Sequence, residues 1–325
     1  MIPIVEGRVK FQRSELIAQG WNEDYLDKAI HHVWWITAQL LRWQREQSDA
    51  DAIVTLCESS ISELNRFLPN SRNNLTSIYN GTSFSRQDRK RVDKLLLGYH
   101  TRRRLECYRA GGVEKDRIRF APEGKKVIFV GRDDIGKGIS EFICAVSKLY
   151  HGGYSNVRAI IVGNFSQSRR LQLCRHDARY AREYLFFTGH IEDPNELAAV
   201  LAFGNVTAIC SYYDSFNLVG CESYLMGTPC VVTERIGAAE VYLTHPEKLQ
   251  VQIALPIRKP YDSGINRFFG VDIDSMAGQI ATLLNNDDLS YSLGQAGKQF
   301  VEMHYGYRNM GNRYLELYNR LLIAR

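Results

Sequence analysis

No run of apolar residues in this 325-residue chain reaches membrane-spanning length, and no signal-peptide pattern opens it. The seven cysteines, at 57, 107, 144, 174, 210, 221 and 230, are scattered mostly inside apolar runs and never spaced Cys-x-x-Cys. That scatter excludes a disulfide frame and a zinc knuckle, and is that of reduced core residues in a cytoplasmic protein. Internal repeats and low-complexity tracts are missing as well, so neither a solenoid nor a long disordered linker is expected.

What is present is an ordinary globular composition, 45% hydrophobic and 24% charged, in a chain long enough for two domains. The net charge of +5 is unevenly placed. Residues 83 to 126 hold 14 Lys and Arg against 6 Asp and Glu, densest at Arg89-Lys90-Arg91 and Arg102-Arg103-Arg104, which leaves the rest of the chain slightly acidic. A solvated helical connector accounts for such a segment, and so does a face turned to an anionic membrane, a phosphorylated acceptor or an acidic partner. Nucleic acid is not expected, because few aromatics are interleaved with the charges.

The most informative stretch is Tyr213 to Thr228. It follows the apolar, β-branched run Thr207 to Ser211, short enough for a buried strand. From Asn217 to Met226 there is no Pro, apolar residues recur at helical spacing (Leu218, Cys221, Leu225), Gly227 stands where a helix stops and Pro229 follows. Strand, turn and helix in an open parallel sheet place the turn outside the strand's carboxyl end, where such folds bind ligands, with the helix's first amides aimed at it. Asp214 lies in the turn, and Glu222 lies roughly 7–8 Å further along the helix axis. The two carboxylates would bracket a ligand rather than chelate one ion.

An acid, seven residues, Glu, then Gly-Thr-Pro and an apolar strand resembles the C-terminal nucleotide-sugar domain of GT-B glycosyltransferases of family 4, a retaining class. The resemblance implies an α/β, Rossmann-like doubly wound domain. It gives Glu222 the ribose hydroxyls of the donor, Asp214 the hydroxyls of the transferred sugar, and the backbone of Asn217, Leu218 and Val219 the diphosphate. Asp214 stands where Glu is usual and Asn217 where Gly is usual. Upstream, strand Lys126 to Val130 runs into Gly131-Arg132-Asp133-Asp134-Ile135-Gly136-Lys137-Gly138, similar to the family's Gly-Arg and Lys-Gly turn, whose Arg and Lys clamp the diphosphate. Arg132 and Lys137 inherit that role, a sensible one because fixed cations stabilise a departing nucleoside diphosphate without a metal. Gly189-His190-Ile191 falls where the family reads the base through its backbone. Ile236 to Glu240 resembles the Gly-Gly-x-x-Glu turn with only one glycine kept. Asp272-Ile273-Asp274 matches the metal signature of the other large glycosyltransferase fold, but it precedes the helical run Ser275 to Leu284, and capping explains it better.

Elsewhere, Met1 to Val5 reads as a strand, 23 to 47 as a helix with an apolar face through Ile30, Val33, Trp34, Ile36 and Leu40, and Ala52 to Leu56 as a strand entering the turn Glu58-Ser59-Ser60 and a helix to Phe67. Leu75 to Tyr79 is a further strand, 169 to 183 a basic helix, and Met303 to Leu322 the last helix. The expected organisation is a shortened acceptor-side region with a basic connector over 1–122, the nucleotide-sugar domain over 123–305 and a helix over 306–325 crossing back. The family's glycine-rich loop and active-site His have no counterpart, and His31 and His32 read as structural. The resemblance implies a metal-independent, hexosyltransferase-like enzyme of polysaccharide biosynthesis, with no cofactor beyond the donor and UDP-sugar favoured over GDP-sugar. It would be cytoplasmic or peripheral to the inner membrane face. Too few strands in 1–82 to close a core imply a homo-oligomer or a partner subunit there. A nucleotide-sugar epimerase and a non-catalytic subunit stay open as alternatives.

Overall fold

The computed structural model describes residues 51–61, 75–84, 87–100, 107–109, 117–118, 123–177, 179–212, 214–234, 236–237, 239–243, 254–257 and 271–323. The expected strand at Met1 to Val5, the helix at 23 to 47 and the triplet Arg102 to Arg104 lie outside them. The chain divides into two units, Met1–Val54 with Ile61–Thr76 and Thr55–Ser60 with Ser77–Arg325. Near the first unit's end, β1 (Ile53–Thr55) and β2 (Leu75–Ser77) pair as a two-stranded sheet.

The second unit runs α1 (Arg89–His100), β3 (Cys107–Arg109), β4 (Arg117–Ile118), β5 (Lys125–Val130), α2 (Ile139–His151), β6 (Val157–Val162), α3 (Gln167–Leu173), α4 (Ala181–Tyr184) and β7 (Leu185–Gly189). It continues with α5 (Pro194–Phe203), β8 (Val206–Ile209), α6 (Leu218–Leu225), β9 (Cys230–Thr233), α7 (Ala239–Tyr242), β10 (Ala254–Ile257), α8 (Ile273–Asn285), α9 (Asp287–His304) and α10 (Tyr307–Ile323). The sheet order is β10-β9-β8-β5-β6-β7-β3-β4, with six parallel strands and the β3–β4 hairpin antiparallel at one edge.

The central strands read as continuous apolar runs because both of their faces are covered. Val127, Phe129, Ala159 and Ile161 face one core with Phe142 and Val146 of α2 and Ile280 of α8. Ile128, Ile160 and Val162 face the other, with Val92 and Leu95 of α1, Val200 of α5 and Tyr224 of α6. Each such side chain contributes on the order of 1.5–3 kcal/mol by leaving water. From β5 the chain builds outward through β6 and β7, then returns to place β8, β9 and β10 on the opposite side. A doubly wound sheet has its ligand crevice where the winding reverses, here between β5 and β8.

Three expectations change. Among the described residues, the basic segment is helical over α1 and then supplies the β3–β4 hairpin. In α1, Val92, Leu95 and Tyr99 are buried, Arg91 pairs with Asp193, and Arg89 lies 3.1 Å from Asp93. The helix expected over 169 to 183 is broken into α3, a 3-10 turn at Arg175–Asp177, and α4. The Asp177 carboxylate draws that turn onto the end of α2, where Ser147 donates at 3.0 Å, His151 Nε2 lies at 2.7 Å, and the Tyr184 hydroxyl donates at 2.5 Å. The last helix is likewise divided between α9 and α10. Thr82 N–H donates to Tyr305 O and Tyr307 N–H to Thr82 O, at 2.9 and 3.2 Å, so the backbone at the break is used by a neighbouring segment.

Asp272 caps α8, accepting from the amides of Asp274 and Ser275 at 3.0 and 2.9 Å. Replacing it with Ala should cost about 1 kcal/mol. The check is a lower urea midpoint with an unchanged slope, to the same extent with and without added manganese.

Candidate active site

Two turns make the crevice, and one glycine lets them meet. In the turn after β5, Asp134 Oδ1 accepts from the Gly136 amide at 2.8 Å and Asp134 O from the Lys137 amide at 3.0 Å, winding Ile135–Lys137 into a 3-10 turn. Gly138 has φ +70°, and a β-carbon there would stand 2.1 Å from the carbonyl oxygen of Cys210, just beyond β8. The Tyr212 amide donates to Gly136 O at 2.7 Å, and the Cys210 thiol points at the carbonyls of Lys137 and Gly138.

This contact brings Lys137 to the turn that follows β8. Its Nζ lies 2.6 Å from Asp214 Oδ2, and the Asn217 side-chain amide donates to the same oxygen at 3.0 Å. Both members of the ion pair are largely buried, at 23% and 13% side-chain exposure, so solvent screens them less than a surface pair. Beside them is a small, open hollow lined by Phe129, Val130, Lys137, Ser211, Asn217 and Val219, among others.

Asn217 is also the N-cap of α6, its Oδ1 accepting from the Val219 amide at 3.0 Å. The Val219 amide, expected on the diphosphate, is therefore engaged within the chain, because Asn can do locally what the usual Gly cannot. Further along α6, Glu222 is half-buried, and among the described residues its carboxylate has no partner. Burial pushes its pKa up to about 7.

The remaining expected residues are not gathered at the pair. Arg132 stands exposed at the start of its turn. Gly189, with φ +78°, ends β7 and the exposed His190 follows it, three strand positions from β8 and so roughly 14 Å away. Ile191 packs against the second core. Leu218 begins α6 as the residue after its cap.

The sequence model described as "Glycosyl transferases group 1" matches residues 113–300, more than half of the chain. The chain belongs to that family. No curated protein matches it. Among solved structures, sucrose-phosphate synthase from Thermosynechococcus elongatus is similar at 20% identity and TM-score 0.65, covering 89% of this chain and 63% of that one. HepE of Anabaena, solved with UDP-glucose, is similar at 17% identity and TM-score 0.61, over 83% of this chain and 64% of its own. WaaG, a glycosyltransferase involved in lipopolysaccharide biosynthesis, is similar at 14% identity and TM-score 0.59, over 80% and 60%. At these identities the likeness shows the GT-B fold, and the chain spans a little under two thirds of the length of these neighbours.

For a chain of this family, two nearby residues escape any motif reading. The Tyr212 hydroxyl donates to Glu141 Oε1, and Glu141 Oε2 is buried with no hydrogen-bond partner among the described residues. Burial raises the Glu141 pKa, and the Tyr212 hydroxyl offsets part of that rise. They lie 71 positions apart, so no spacing rule joins them. Gly138 was legible only as part of Lys-Gly, without its left-handed backbone.

The unpartnered Glu222 has a measurable consequence. An acid whose folded pKa is raised from 4.5 to about 7 holds its proton longer in the native chain, so stability falls as pH rises through that interval. Urea midpoints of wild type and Glu222→Gln should agree near pH 4.5 and separate by pH 8, with the Gln variant the more stable.

Proposed function

We propose that the chain transfers a sugar from a nucleoside diphosphate donor, with UDP-sugars favoured, to a hydroxyl-bearing acceptor with retention of configuration. The observation that carries the reading is the Lys137–Asp214 pair at the sheet's winding reversal, with an unpartnered carboxylate, Glu222, further up the same helix. Lys137, joined by Arg132, holds the diphosphate, whose oxygens compete with Asp214 for the ammonium. Asp214 turns to the sugar hydroxyls, and Glu222 accepts from the ribose hydroxyls, which favour its charged form. Gly189, His190 and Ile191 lie at a distance suited to the base of an extended nucleotide.

No protein nucleophile is required. As the bond from the anomeric carbon to the phosphate oxygen breaks, the acceptor oxygen bonds to that carbon from the same face, and its proton passes to the departing phosphate. Lys137 and Arg132 stabilise the charge that develops there. HepE, solved with UDP and with UDP-glucose, supports the donor class. Asp272, the first acid of the Asp-Ile-Asp triplet, is committed to helix capping.

Titration with UDP should give saturable binding that survives EDTA; abolition by the chelator would count against the reading. Glu222→Ala should weaken UDP and UDP-glucose alike by about 10–100-fold, the loss of a hydrogen-bonded charge. Asp214→Ala should leave UDP binding intact or tighter, because Lys137 is then released, while removing the advantage of UDP-glucose over UDP.

A further inference from the structure

In α7, Glu240 has a carboxylate that serves another part of the chain. Its Oε1 accepts from the Glu58 amide and from the Tyr79 hydroxyl, each at 2.7 Å, and its Oε2 accepts from the Ser59 amide at 2.9 Å. Glu58 and Ser59 open a helical turn, and the first amides of a helix find no acceptor within it. The carboxylate supplies what an N-cap side chain would, from 182 and 181 positions away.

The segment that bears Glu240 is also tied to the site. The Gly237 amide donates to Asp214 O at 2.7 Å. A β-carbon at 237 would lie 1.7 Å from Ser215 O and 2.9 Å from Cys57 Cβ, so the backbone there is wedged between the Asp214 turn and the Cys57 turn. Tyr79 is held by ring contacts with Phe216 and Tyr305, both at 5.6 Å. Burial and the Glu240 carboxylate raise its pKa far above the ordinary tyrosine range, so its hydroxyl remains a donor.

We propose that Glu240 is a positioning residue that fastens the Glu58–Ser60 turn to the Asp214 turn, so that Asp214 is held in place for the donor sugar. The role of Asp214 in this rests on the sugar-transfer reading, whereas the fastening stands on its own contacts. Three donors converge on two carboxylate oxygens. Glu240→Gln preserves shape and length but sets an amide NH2 against a backbone N–H, so a space-filling role would tolerate it and a fastening role would not.

The test uses the full chain as wild type, Glu240→Gln and Tyr79→Phe, with hydrogen exchange followed over residues 55–60 and over α6, and with UDP and UDP-glucose affinities measured. Glu240→Gln should speed exchange of the Glu58 and Ser59 amides at least about tenfold without affecting α6, and Tyr79→Phe should leave those amides protected, since each keeps its own carboxylate oxygen. UDP affinity should stay within about twofold in Glu240→Gln, while the advantage of UDP-glucose over UDP falls several-fold. Unchanged protection of Glu58 and Ser59 in Glu240→Gln, or equal losses for both ligands, would overturn the proposal. Failure of the wild type to bind UDP would instead overturn the donor-site reading, and the exchange comparison would still decide the fastening.

Discussion

The approach of Gly138 to the carbonyl of Cys210 is the constraint on which the site depends. Neighbouring parallel strands β5 and β8 lie about 4.8 Å apart, but their following segments leave toward opposite faces of the sheet. Only a residue without a β-carbon, in a left-handed conformation, lets those departing turns touch, at 2.1 Å for a notional β-carbon. Contact at that point carries the Tyr212-to-Gly136 hydrogen bond and brings Lys137 within 2.6 Å of Asp214. The chemistry of the crevice is thus set by backbone geometry before any charged side chain is considered.

Two carboxylates then acquire different characters from their surroundings. Asp214 has an ammonium and a side-chain amide on one oxygen. Glu222, eight positions on, has burial and no partner, and its pKa rises to about 7. Burial disfavours the charged form, and hydrogen-bond donors restore it. The first carboxylate is therefore satisfied within the protein, and among the described residues the second is not. Such a division suits a site in which one acid holds a cation until needed and the other waits for hydroxyl groups.

Much of this was legible in the sequence where local chemistry decides the structure. The strand, turn and helix around Asn217 followed from apolar spacing and a stop at Gly227, whose φ of +82° is the left-handed conformation of a helix C-terminus. Asp272 read as a cap and is one. The β3–β4 hairpin did not, because strands of three and two residues contain too little periodicity to be distinguished from a charged helix. The break at Asp177 arises from Ser147, His151 and Tyr184, none of which is a helix-stopping signal. Glu240 was recognised as part of a turn, but its partners Glu58 and Ser59 lie in a separate segment, and only the folded chain joins them.

The ion pair in the site also bears on how a donor would be distinguished from free nucleotide. On the sugar-transfer reading, a diphosphate draws Lys137 away and leaves the largely buried Asp214 with Asn217 as its remaining partner. A buried carboxylate stripped of its cation carries a desolvation cost that nucleotide alone does not repay. A sugar with hydroxyls in reach of Asp214 repays it. Sugar recognition then follows less from the strength of any new contact than from the penalty of leaving Asp214 incompletely paired, the same asymmetry that lets polar sites reject ligands lacking one hydroxyl. On the same reading, the shorter Asp at this position narrows the set of sugars able to reach it, since the hydroxyls must come to a carboxylate already held by Asn217.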